Sequence, residues 1–118
     1  MKPGTGSHVI VDLYGASNLD CERSVRDAIE EIIEQTGATL LHEYFHRFTP
    51  LGITGVVCLT ESHISVHTWP EQGFAAFDIF MCGKAEPERA IPILQAHFNP
   101  DRIEVQTLYR GDSLKQSS

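Results

Sequence analysis

From Ile64 to Thr68 the chain alternates apolar and polar side chains, inside the run Thr60-Glu61-Ser62-His63-Ile64-Ser65-Val66-His67-Thr68-Trp69-Pro70-Glu71. A period of two is the signature of a half-buried β-strand, and the β-branched Ile64, Val66 and Thr68 suit a pleated surface. The run therefore commits the chain to a sheet with one covered face. On this strand His63, Ser65 and His67 share one face, and Ser62, Ile64 and Val66 share the other. Pro70 closes it, because proline has no N–H to give to a ladder. Further strands are expected over residues 8–14, with Val9, Val11 and Leu13 on one face, and over 53–59, 74–81 and 102–109.

Helical spacing occurs twice. Cys21, Val25, Ala28, Ile29, Ile32 and Ile33 recur at that spacing ahead of Gly37, which predicts a helix over 19–36. Gly15-Ala16-Ser17-Asn18 offers turn and N-cap chemistry in front of it. A second helix is expected over 86–98, with Pro87 near its first turn and Pro92 in a position that shifts or kinks its start. Residues 38–49 fit two patterns. Leu40, Leu41, Tyr44, Phe45 and Phe48 make a helical stripe, while aromatic richness and the Pro50-Leu51-Gly52 turn suit a strand entering a hairpin. Residues 1–7 read as a loose lead-in and 111–118 as a polar tail, with no repeat or linker between.

At 118 residues the chain is long enough for one domain, 1–118, with its own core. A net charge of −7 argues against a nucleic-acid partner, which needs a basic footprint. No apolar run approaches the ~18 residues of a spanning helix, and no secretory leader opens the chain, so no membrane partner and a cytoplasmic location are expected. Three cysteines, Cys21, Cys58 and Cys82, cannot pair completely and point to a reducing compartment. His42-Glu43-Tyr44-Phe45-His46 spells the zinc-hydrolase pattern, which requires a helix to bring both imidazoles to one face. On a strand they stand about 13 Å apart, as would His63 and His67, so no metal is expected. Arg110-Gly111-Asp112 resembles an adhesion tripeptide in spelling alone.

The run from Glu61 to Glu71 resembles the processing site of the prokaryotic S-adenosylmethionine decarboxylases, a pyruvoyl-dependent, self-cleaving family. The resemblance continues through Phe45-His46-Arg47-Phe48, Pro50 and 52–57 upstream, and through 73–78 with Cys82-Gly83 downstream. It spans roughly residues 8 to 111. It implies that residues 38–49 are strand, giving the order β-α-β-β-β-β-α-β. The expected fold is then an α+β two-layer sandwich, an antiparallel sheet with both helices on one face. The family pairs the other faces in a homodimer with shared active sites.

The resemblance also implies a division of labour. Ser62 would attack the Glu61 carbonyl, and the resulting ester would eliminate to leave chains 1–61 and 62–118, the latter beginning in a pyruvoyl group. That group would be the cofactor, a Schiff-base electron sink standing in for pyridoxal phosphate. His67 would be the processing base and Thr54, where the family usually has serine, would support processing. Cys82 would return a proton to the substrate carbon. Phe48 and Trp69 would sandwich the adenine of S-adenosylmethionine, and Glu71 would take its ribose hydroxyls. Two rival readings are an arginine or ornithine decarboxylase on the same machinery, and a non-processing regulatory partner. Phe48, Trp69 and Glu71 disfavour the first; Ser62, His67 and Cys82 disfavour the second. His46 and His63 match family positions without an assigned role.

Overall fold

The computed structural model describes residues 6–111. The expected loose lead-in over 1–5, the tail from 112 and the last residue of the Arg110 tripeptide lie outside them. The elements run β1 (Gly6–Tyr14), α1 (Glu22–Thr36), β2 (Leu40–Arg47), β3 (Ile53–Leu59), β4 (Ser62–Trp69), β5 (Phe74–Cys82), α2 (Ala90–Phe98) and β6 (Arg102–Arg110). Short 3-10 turns, Pro70–Gln72 and Pro87–Arg89, precede β5 and α2. The strands form one six-stranded sheet in the order β2-β3-β4-β5-β1-β6, antiparallel throughout.

Alternation decides the layers. Val9, Val11 and Leu13 of β1, Ile64 and Val66 of β4, and Phe77 and Ile79 of β5 are at most 1% exposed. They join Val25, Ala28, Ile29 and Ile32 of α1 and Ala90, Leu94 and Phe98 of α2 in a single core. The Phe77 and Phe98 rings meet at 5.9 Å, stitching sheet to helix. Gly55 of β3 is buried because the Phe45 ring occupies its side-chain space, where a Cβ would lie 2.5 Å from a ring carbon. Both helices cover one sheet face, as expected. Among the described residues no layer covers the other, and Tyr44, Val56, Trp69 and Leu108 stand exposed on it.

Three boundaries differ from expectation. The first helix begins at Glu22 rather than at residue 19, with Cys21 at its N-cap. The Ser17-Asn18 chemistry serves the other helix. Ser17 donates its backbone N–H and its hydroxyl to Phe98 O (2.8 and 3.2 Å), and Asn18 Nδ2 donates to His97 O (3.2 Å). Those are end carbonyls of α2, which have no partner inside their own helix. The second helix starts at Ala90, after the 3-10 turn at Pro87. Pro92 falls in its first turn, where a missing N–H breaks no helical bond. Finally, β1 begins at Gly6, inside the expected lead-in.

If Phe77 and Phe98 join the layers as described, Phe77→Ala lowers unfolding free energy by about 3–5 kcal/mol. Urea unfolding followed by far-UV circular dichroism, at one protein concentration, measures it.

Candidate active site

Strand β4 carries candidate residues at both ends, and the two ends are far apart. At its start, β3 turns into β4 through Thr60 and Glu61, with Leu59 paired to Ser62. Glu61 has φ +61°, in the left-handed region that costs a residue with a Cβ roughly 1–2 kcal/mol. The peptide bond that follows it is the Glu61–Ser62 bond. Ser62 Oγ accepts the backbone N–H of Cys82 at 3.4 Å, so the end of β5 lies directly alongside. Burial, reinforced by the Glu61 carboxylate, pushes the Cys82 thiol above the usual cysteine range. It therefore holds its proton at neutral pH. On the uncovered face next to Ser62, His63 packs its ring 5.6 Å from Phe80 and 6.2 Å from His8.

At the far end of β4, Thr54 of β3 sits directly across from His67. Their side chains share a hydrogen bond of 3.0 Å between Thr54 Oγ1 and His67 Nδ1. In the tautomer that donates Nδ1–H to Thr54, Nε2 keeps the lone pair that a base requires. His67 lies 6.2 Å from the Trp69 ring, which rests 5.3 Å from Phe74. These groups open into a cavity of about 280 Å³ lined by Phe48, Leu51, Gly52, Thr54, His67, Thr68, Trp69 and Glu71. Phe48 and Trp69 are 46% and 39% exposed, bare aromatic rings at the mouth of a cleft. His46 packs against Phe48 at 4.5 Å.

The structure thus groups the residues singled out in the sequence into two sets. Glu61, Ser62 and Cys82 form one. Phe48, Thr54, His67, Trp69 and Glu71 form the other. Ser62 and His67 are five residues apart on one extended strand, a separation of about 17 Å. They cannot meet within one copy of the chain. Leu51, Gly52 and Thr68 also line the cavity and were not singled out; Leu51 is an exposed apolar residue at a turn, a weak signal when read alone.

A model of the S-adenosylmethionine decarboxylase family matches residues 7–111. The chain belongs to this family. An S-adenosylmethionine decarboxylase proenzyme of Thermomicrobium roseum is 45% identical over 108 residues, covering 90% of this chain and 93% of that one. One of Methanococcus maripaludis is 42% identical over 109 residues, covering 90% and 89%. Among solved structures, the adenosylmethionine decarboxylase from Aquifex aeolicus superimposes with a TM-score of 0.84 at 35% identity, covering 93% of each chain. A Trypanosoma brucei structure shares the fold at 18% identity and a TM-score of 0.63, covering 84% of this chain and 44% of that one.

The zinc-hydrolase spelling over 42–46 falls on strand β2 and not on a helix. His42 and His46 lie on the uncovered face opposite Cys58 and Thr54, whereas Glu43 turns to the helix layer and pairs with Arg26 at 2.9 Å. Among the described residues no group of three or more His, Cys, Asp or Glu side chains could hold a metal ion. No helix among them is long and apolar enough to cross a membrane.

The thiols provide a direct check on the electrostatics. Cys82 is pushed up, whereas hydrogen bonds from Ser24 hold the Cys21 thiol below its ordinary value. Alkylation by iodoacetamide, read per site by peptide mass spectrometry across pH, should reach half-maximal rate at lower pH for Cys21 than for Cys82. The reverse order would remove the proposed environment of Cys82.

Proposed function

We propose that this chain is a self-processing decarboxylase that converts S-adenosyl-L-methionine to decarboxylated S-adenosylmethionine and carbon dioxide, supplying the aminopropyl donor for spermidine. The observation that carries the reading is the pairing of a Glu-Ser bond in a left-handed turn with a stacking cleft on the same strand. An arginine or ornithine substrate would give Phe48 and Trp69 no purine to hold. A regulatory partner would have no need of the Ser62 and Cys82 pairing.

In the processing step Ser62 Oγ attacks the Glu61 carbonyl carbon; the C–N bond breaks and the Ser62 nitrogen takes the proton. Backbone strain at Glu61 raises the uncut state toward the barrier, since cleavage frees that φ. A base then removes the Ser62 α-proton, and the Glu61 carboxylate leaves by β-elimination. The dehydroalanine hydrolyses to a pyruvoyl group with release of ammonia, leaving chains 1–61 and 62–118. His67 is the base in this reading, and the Thr54 hydroxyl beside it steadies the tetrahedral oxyanion. The residues present fit the group: Ser62 sits at a turn, with the Cys82 N–H already directed to its oxygen.

The pyruvoyl group supplies an electron-accepting carbonyl for loss of carbon dioxide, in place of pyridoxal phosphate. The chain's own residues do the rest. Phe48 and Trp69 stack on the adenine, Glu71 accepts hydrogen bonds from the ribose hydroxyls, and the protonated Cys82 thiol delivers a proton to the substrate carbon.

The gap of about 17 Å within one strand supports a homodimer as the active unit. A two-fold axis lying between two uncovered faces, across the strands, lays the Ser62 end of one protomer over the His67 end of its partner. Each site then draws Ser62 and Cys82 from one copy and Phe48, Thr54, His67, Trp69 and Glu71 from the other. Tyr44, Val56 and Leu108 supply apolar surface for such a face. The cytoplasm is the expected location.

Two outcomes test this reading. Ser62→Ala should remain a single 13.2 kDa chain by intact mass, while the parent yields two fragments of roughly half that size; a cut Ser62→Ala protein would contradict the mechanism. Co-expressed Cys82→Ala and Glu71→Ala chains, each nearly inactive alone, should recover roughly a quarter of parental carbon dioxide release, because half the dimers hold one intact site. Recovery of nothing would place each site within one chain.

A further inference from the structure

The five-residue loop between β2 and β3, Phe48 to Gly52, forms one wall of the cleft, and its tip is barely packed. Phe48 and Leu51 are 46% and 44% exposed. A flat base held between Phe48 and Trp69 needs those ring planes about 7–8 Å apart, twice a carbon contact distance. Trp69 is set by a strand and by Phe74. Phe48 lies one residue past the end of β2; the His46 ring packs against its side chain at 4.5 Å, while its backbone belongs to the loop, whose height must be fixed from elsewhere.

The loop's internal closure is one bond, Phe48 N–H to Gly52 O at 2.7 Å. Its external anchor comes from the segment before α1. Asp20 Oδ1 accepts the Gly52 N–H at 2.9 Å, and Asp20 Oδ2 accepts Arg47 Nη2 at 2.5 Å. Arg47 Nε also donates to the Asp20 carbonyl at 3.3 Å. One carboxylate therefore holds the residue just before the loop and the last residue within it. Gly52 has φ +111°, and a Cβ there would press within 3.3 Å of Thr68 O on the opposite wall, so the anchored backbone already fits closely.

We propose that Asp20, acting through Arg47 and Gly52, is a positioning residue that sets the height of the Phe48 wall and thereby the affinity for the nucleoside part of the substrate. Among the described residues, the hydrogen bonds of the Asp20 carboxylate go to Gly52, which lines the cleft, and to Arg47, which does not. Its contribution falls on binding and leaves the bond-breaking steps alone. The Gly52 N–H foremost, and Arg47 with it, hold the Asp20 carboxyl below the usual carboxylate range, so the anchor is ionised throughout the neutral range. The proposal rests on the nucleoside reading of the cleft.

The chain has a single tryptophan, Trp69, in the wall opposite the loop. Its fluorescence reports occupancy without turnover. Processed protein is titrated with 5′-methylthioadenosine, and steady-state decarboxylation of S-adenosylmethionine is measured beside it. Asp20→Ala should weaken nucleoside binding about tenfold and raise KM by a similar factor, with kcat within about twofold. Asp20→Asn keeps an oxygen for Gly52 but cannot pair with Arg47, so it should lose less; it also serves if the alanine variant folds poorly. Arg47→Met should act in the same direction, and the Asp20→Ala/Arg47→Met pair should be no weaker than the worse single variant. Unchanged nucleoside affinity in Asp20→Ala, additive losses in the pair, or a loss confined to kcat would each overturn the proposal. Parental protein that binds no nucleoside would bring down the reading of the cleft as well, and so distinguishes the two failures.

Discussion

A strand is stiff and long, and β4 puts candidate site residues at both of its ends. Extension separates Ser62 from His67 by about 17 Å, and no side-chain motion closes that gap. Everything else about the site follows from this constraint. The serine is served by what lies at the finish of β5, namely the Cys82 backbone and thiol. The histidine is served by its neighbour across β3, Thr54, and by the cleft beyond it. Each cluster is well formed, and the strand keeps the two apart.

The alternation that extends β4 also decides where its groups face. Ile64 and Val66 are sealed under the helices, so His63, Ser65 and His67 must emerge on the uncovered side. A serine hydroxyl answers Asp78 there at 3.4 Å, and His8 reaches the same carboxylate at 3.3 Å. The uncovered face is therefore polar in the middle, with apolar groups such as Val56 and Leu108 nearby, a mixed surface and not a second core.

Much of this was legible in the residues. The period of two in β1 and β4 and the helical spacing of α1 translate directly into buried faces. Residues 38–49 were ambiguous for a physical reason. Leu40 pairs with Leu59 and His42 with Cys58, so Leu41 is an extra residue in the ladder and the alternation slips there. Local chemistry misled at Ser17 and Asn18, whose capping groups satisfy α2, some eighty residues away in sequence, and not the adjacent helix. The candidate site residues came from the family resemblance over the run around Ser62 and its flanking segments, but their division into two clusters needed the sheet register. The Asp20 anchor had no sequence signal, since a lone acid ahead of a helix looks like any other.

The strand order has one more consequence. A break after Glu61 would leave α1 and strands β1 to β3 on one fragment, and α2 with β4 to β6 on the other. In the sheet order β2-β3-β4-β5-β1-β6 these fragments interleave, because β1 is inserted between β5 and β6. To part, they would have to strip three ladders at once, β3 from β4 and β1 from both of its neighbours. A nicked molecule would thus stay threaded together, like clasped fingers, with its new ends held where the turn had been.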